Sequence, residues 1–125
     1  MKGARKIGAF IALLVAAGAC ANRGYAQDAV HGQTIFKACA ACHATDHANR
    51  LGPGLGGIIG RKAGTVPGFG YSDAMKKSDV VWDAKILDAY VESPQQVVPG
   101  NRMPYAGLKN PMDRMDLVAY LATLK

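Results

Sequence analysis

The stretch KACAACHATD, residues 37–46, holds two cysteines separated by two alanines and a histidine directly after the second: Cys39-Ala40-Ala41-Cys42-His43. Two thiols and an imidazole this close suit three chemistries: a disulfide redox switch, half of a zinc site, or covalent attachment of a haem. The compartment and the rest of the chain discriminate among them.

Residues 1–26 set Lys2, Arg5 and Lys6 ahead of the uncharged run IGAFIALLVAAGA and end on Gly24-Tyr25-Ala26, with small residues where a signal peptidase reads. This is the layout of a secretory signal peptide. The apolar run is shorter than the ~20 residues of a membrane-spanning helix, which disfavours an uncleaved anchor. Ala17-Gly18-Ala19-Cys20 leaves a lipid anchor at Cys20 as a minor alternative, since it lacks the bulky apolar residue usual before such a cysteine. The expected organisation is a signal peptide over 1–26 and one exported, periplasmic domain over 27–125, which at 99 residues can build one small core. We expect no membrane tether.

Cleavage removes Lys2, Arg5, Lys6 and Arg23 and no acidic residue, taking the formal charge from +6 to +2. A strongly basic domain would point to nucleic acid or a membrane surface; this one points to neither. Cys20 leaves too, so Cys39 and Cys42 become the only thiols.

A structural zinc site needs four ligands, usually two closely spaced pairs. The flanking His31 and His47 do not supply the second pair at a useful spacing. A thioredoxin-like switch needs a strand, the CxxC and a helix within a sheet, and the chain offers almost no strands. Haem attachment fits: the thiols form thioethers with the two porphyrin vinyl groups, one helical turn apart, and His43 is directed at the iron.

Apolar residues at Val30, Ile35, Phe36 and Cys39 recur near helical period and predict a first helix over residues 28–43. Residues 51–70 hold eight glycines and two prolines, a composition that forbids a long regular element and lets backbone wrap closely around something flat. Ser72 can cap a short helix over 73–78, and another runs from residue 82 or 83 to about 92 with Ile86, Leu87, Tyr90 and Val91 on one face. Pro94, Pro99 and Pro104 bracket an irregular loop. Asn110 caps a last helix to about residue 124, with Pro111 at its first position and Leu117, Val118, Tyr120, Leu121 and Leu124 apolar. The fold class is all-α: short helices and long loops wrapped around one haem, which supplies the core that so many loops would otherwise lack.

A second axial ligand opposite His43 has several candidates: Met75, Met103, Met112, Met115, His31 and His47. Met112 and Met115 open the last helix, where packing explains them. Met75 falls in a short polar helix. His31 and His47 lie on the attachment side. Met103, in VVPGNRMPYAGL, is held extended by the following Pro104 in a loop stiffened on both sides, and is the expected ligand.

From residue 32 to residue 124 the chain resembles a class I c-type cytochrome of the mitochondrial and bacterial cytochrome c type. The matching stretches are CAACH, GPGLGGIIGRKAGTVPGFGYSDA, VVW, PGNRMPYAG and DLVAYL, in the right order. The resemblance implies that the Pro53 carbonyl accepts the His43 ring N–H, fixing tautomer and basicity. It implies that Arg61, Tyr71 and Trp82 contact a buried haem propionate, and that Tyr90 hydrogen-bonds near the Met103 sulfur. Read alone, Trp82 and Tyr90 are core packing and Arg61 a solvated charge.

The chain also departs from that pattern. Met75 stands where relatives often carry an asparagine, Gln95-Gln96 where they carry a lysine pair, and Ala38 replaces lysine before Cys39. Any electrostatic steering toward redox partners must then be local, from Arg61, Lys62, Arg102 or Lys109. With both axial positions filled, the expected function is a mono-haem, monomeric carrier of single electrons between redox protein partners of a respiratory or dehydrogenase chain, not an enzyme. A peroxidase or gas-binding haem protein with labile Met103, and a haem-free CxxC oxidoreductase, are the alternatives.

Overall fold

A computed structural model describes residues 26–125 together with Gly3. The expected signal peptide and Cys20 lie outside the described residues, apart from Gly3 and Ala26.

The first helix begins at a cap. Asp28 is extended, and its carboxylate accepts the Val30 and His31 N–H groups that have no partner inside the helix. Helix α1 covers Ala29–Ile35 and tightens into a 3-10 turn over Phe36–Ala38, ending well before the predicted residue 43. Helical bonding nevertheless continues: Ala40 N–H donates to Phe36 O and His43 N–H to Cys39 O, both at 2.9 Å. Cys39 and Cys42 thus occupy one helix-like turn. Val30, which the pattern put on the buried face, is 77% exposed; Gly32 and Phe36 are what this segment buries.

Helix α2 spans Asp73–Lys77, α3 Ala84–Glu92, α4 Pro94–Val97 and α5 Pro111–Leu121. Ser72, Asp83 and Asn110 cap α2, α3 and α5 with side-chain oxygens, each in extended backbone. Helix α4 falls where the prolines read as an irregular loop. Pro94 stands at its first position, where the missing N–H costs nothing, and Val98 N–H closes the turn on Pro94 O at 3.0 Å. Helix α5 ends three residues sooner than the pattern suggested. There Thr123 directs both its N–H (2.9 Å) and its hydroxyl (2.6 Å) to Tyr120 O, tightening the last turn.

Helices α1 and α5 pack with backbones in contact. A Cβ on Gly32 would overlap the Asp116 carbonyl and lie 2.9 Å from Tyr120 Cβ, so a side chain there would push the helices apart. Phe36 and Tyr120 stack beside the crossing with ring centroids 5.3 Å apart. Buried Arg114 ties α5 to α3, donating from Nε to Asp88 Oδ1 at 3.0 Å and from Nη1 to the Leu108 and Lys109 carbonyls. The core joins Phe36, Leu87, Tyr90, Leu117, Val118 and Leu121 from the helical segments to Leu55, Ile58, Trp82 and Val98 from the loops. The fold is all-α; among the described residues the only extended pairing is an isolated bridge between Lys62 and Val81.

Candidate haem-attachment site

The CAACH turn leaves α1 with Cys39 and Cys42 as free, half-buried thiols. Burial pushes the Cys39 thiol up from its ordinary pKa, and the neighbouring Cys42 adds to the effect. His43 follows with Nδ1 2.8 Å from the Pro53 carbonyl oxygen. A carbonyl only accepts, so Nδ1 carries the proton and Nε2 holds the free lone pair. Burial draws the His43 pKa down, the Pro53 bond opposes this, and the nearby Arg61 charge lowers it further. The imidazole is therefore kept neutral, the form that ligates a metal.

Gly52 sets where the ring lies. Its N–H donates to Cys42 O at 2.8 Å, and a Cβ there would stand 2.7 Å from His43 Nδ1 and 2.9 Å from Nε2. The glycine-rich loop thus lies directly against the His43 ring at Gly52.

Arg61 closes the same loop, donating from Nη1 to Gly56 O (3.0 Å) and from Nη2 to Gly54 O (2.9 Å). Among the described residues no carboxylate pairs with it, although it is only partly exposed. Tyr71 lies close enough for mutual electrostatic influence, and its hydroxyl accepts the Val66 N–H at 3.2 Å. Trp82 joins through backbone, donating its N–H to Arg61 O at 2.9 Å. Its indole meets the Tyr90 ring edge-on, centroids 4.8 Å apart. Both aromatic residues are buried, and neither the Trp82 indole N–H nor the Tyr90 hydroxyl forms a hydrogen bond among the described residues. Neither atom is sealed from the surface, so each polar tip opens onto accessible space. Burial pushes the Tyr90 hydroxyl up to about 12, so it remains a donor.

Met103 is half-buried against the same apolar cluster that Cys39, Tyr71, Trp82 and Tyr90 join. Beyond it, the Tyr105 hydroxyl is pushed up, chiefly by burial and to a lesser extent by Cys39. No hydrogen bond links Tyr90 to Met103 among the described residues. The other sulfur candidates sit elsewhere: Met75 is buried in the core on α2, Met112 is 47% exposed and Met115 is half-buried on α5. His31 faces Asp116 on α5, and His47 is exposed.

Sequence reasoning missed Asn101 and Gly52. Asn101 is buried, and its side chain accepts the Met103 N–H at 3.0 Å. An asparagine closing a Pro-Gly turn two residues before the methionine was the available signal.

The donor set fits a haem: paired thiols on one turn, a neutral imidazole with Nε2 free, a thioether, an unpaired arginine, and two buried aromatic residues with uncommitted donors. Comparison with known proteins agrees. The cytochrome c family model matches residues 29–125. The chain is 49% identical over 100 residues to cytochrome c2 of Rhodomicrobium vannielii, covering 78% of this chain and 80% of that one. It is 52% identical over 85 residues to cytochrome c of Trypanosoma brucei brucei, covering 68% and 91%. The solved structure of cytochrome cH from Methylobacterium extorquens superposes with a TM-score of 0.74 at 40% identity, over 77% of this chain and 98% of that one.

Proposed function

Because this chain belongs to the cytochrome c family, whose cofactor is covalently attached, iron-bearing haem c, we propose that this mono-haem electron carrier uses His/Met axial ligation and serves as an exported, monomeric shuttle between redox proteins of a respiratory or dehydrogenase chain. Cys39 and Cys42 would carry the thioethers, with His43 and Met103 the axial ligands. The iron would take up and release one electron between its ferrous and ferric forms.

The protein's own residues hold that centre. Pro53 fixes the His43 tautomer and keeps Nε2 available. The loop bonds from Arg61 to Gly54 and Gly56 keep a guanidinium near the site, where it and Trp82 would meet propionate with Tyr71. The Tyr90 hydroxyl is free to donate toward the Met103 sulfur. Trp82, Tyr90 and Leu55 are buried in the apolar core and would present apolar surface to the haem. The observation that carries this reading is the neutral, Pro53-oriented His43 on the same turn as two free thiols. No helix among the described residues is long and apolar enough to cross a membrane. Periplasmic location rests on the signal-peptide reading, with a lipid anchor at Cys20 as the alternative. A filled sixth position disfavours chemistry at the iron, so the protein is a carrier and not an enzyme.

The test is a spectrum of the purified protein, oxidised and reduced. A low-spin ferric form with the near-infrared band of sulfur ligation supports the reading. A high-spin ferric spectrum turns it to a haem peroxidase or gas binder, and the absence of a Soret band removes haem function altogether.

A further inference from the structure

Met103 sits at the end of a loop that is bonded mainly to itself, and the groups that close it are two side-chain amides. Asn101 is buried and makes three hydrogen bonds. Its Nδ2 donates to Pro94 O at 3.0 Å and Val98 O at 2.9 Å, and its Oδ1 accepts the Met103 N–H at 3.0 Å. Two carbonyls and one N–H around a single amide leave no ambiguity about which end is nitrogen. Gln95, on α4, makes the complementary pair: Nε2 donates to Asn101 O at 2.8 Å and Oε1 accepts the Gly100 N–H at 3.0 Å.

We propose that Gln95 and Asn101 form an amide clasp that positions Met103 as the axial ligand, so that these two residues set how readily the methionine leaves the iron. This rests on the reading of Met103 as the sixth ligand. Between them the two amides hold the Val98 carbonyl and the Gly100 N–H of the turn, and tie it to Pro94 and Gln95 of α4. Gly100, with φ of +87°, makes the reversal that lets the Asn101 side chain turn back inside it. Arg102 then anchors the loop outward through a hydrogen bond from Nη2 to Gly70 O. The Met103 N–H is the last group in the chain of bonds, and it holds the backbone from which the thioether projects. When the loop opens, the Met103 backbone moves with it, and that motion breaks the Asn101 bond. Glutamine at position 95 is suited to this because it donates and accepts at once, which a lysine cannot.

These are positioning residues, so the test must see loop opening rather than stability. Imidazole added to the ferric haem-loaded protein competes for the sixth position and binds only when the loop has opened. Its apparent affinity therefore reports the open fraction. Losing the buried Asn101 amide in Asn101→Ala should tighten apparent imidazole binding roughly ten- to a hundredfold, and Gln95→Ala, at an exposed site that threatens folding less, several-fold. Val118→Ala, a core truncation on α5, should lower the unfolding midpoint without moving imidazole affinity. An affinity unchanged in both Gln95→Ala and Asn101→Ala, or raised as much by Val118→Ala, overturns the clasp while the parent's sulfur band leaves Met103 ligation standing. A parent without that band overturns Met103 ligation and the clasp with it.

Discussion

His43 donates a hydrogen bond from Nδ1–H to the Pro53 carbonyl oxygen at 2.8 Å, and the chain reaches that carbonyl through Gly52, whose missing side chain is what lets the ring lie there. The bond and the vacancy at Gly52 act on the same imidazole. One fixes which nitrogen faces inward, the other fixes where it points. Gly52→Ala should therefore turn the ring and strain its bond to Pro53, at a stability cost of about 1–3 kcal/mol typical of overpacking. The expected readout is covalent haem still attached, with a partly high-spin ferric spectrum. An unchanged low-spin spectrum and unfolding midpoint would show that the loop yields instead.

Replacing both Cys39 and Cys42 with alanine should abolish covalent attachment. The haem supplies much of the apolar body around which the loops of residues 44–72 close, so little folded protein should remain. Haem staining after denaturing electrophoresis checks the first part and circular dichroism the second. A stain that survives in the double variant contradicts the assignment.

Met103→Ala should keep the haem attached and lower the reduction potential by roughly 0.1 V or more, because a harder ligand than sulfur favours ferric iron. The opened position should admit peroxide, so weak peroxidase activity should appear in the variant and be nearly absent in the parent. Met112→Ala and Met115→Ala, on α5 away from the site, should leave the potential almost where it was. A variant that retains its sulfur band would shift the assignment to Met75, the buried methionine on α2.

The elements that announce themselves by local chemistry were legible in the sequence. Asp83 and Asn110 are caps because their short side chains reach the orphan N–H groups of the following turn, and this needs no knowledge of the fold. Cys39, Cys42 and His43 are legible for the same reason: their chemistry is set by adjacency. The shortening of α1 was not, because Ile35, Phe36 and Cys39 keep helical spacing while the backbone tightens to 3-10 at Phe36. Helix α4 was missed because proline counts as a breaker unless it falls at a first position, and only the closing bond from Val98 reveals that it does. Asn101 was invisible because its partners, Pro94, Val98 and Met103, are assembled only by the turn at Gly100. Trp82 and Tyr90 read alone as core; the core burial is real, and what the sequence could not display is that their donors go unbonded.

The α1–α5 contact carries a titration. His31 Nδ1 lies 2.8 Å from Asp116 Oδ2, while Asp116 Oδ1 accepts the Asp28 N–H at 2.8 Å, and the Asp116 side chain is fully buried. The hydrogen bond to Asp116 raises the His31 pKa above its ordinary 6.5; burial opposes, and the charges of Asp116, Asp113 and Asp28 reinforce the rise. A histidine whose native value is raised contributes stability that is complete below 6.5, where it is charged folded or unfolded, and that is lost as pH climbs through the higher native value. His31→Gln keeps a donor for Asp116 and removes the charge. The haem-loaded parent should therefore have a higher melting temperature than the variant at about pH 5, and the gap should shrink toward about pH 9. Melting curves of the two proteins across that range decide it. A gap that is constant, or that widens as the pH rises, would mean that the His31–Asp116 pair is held by geometry alone and that its proton plays no part in joining the two helices.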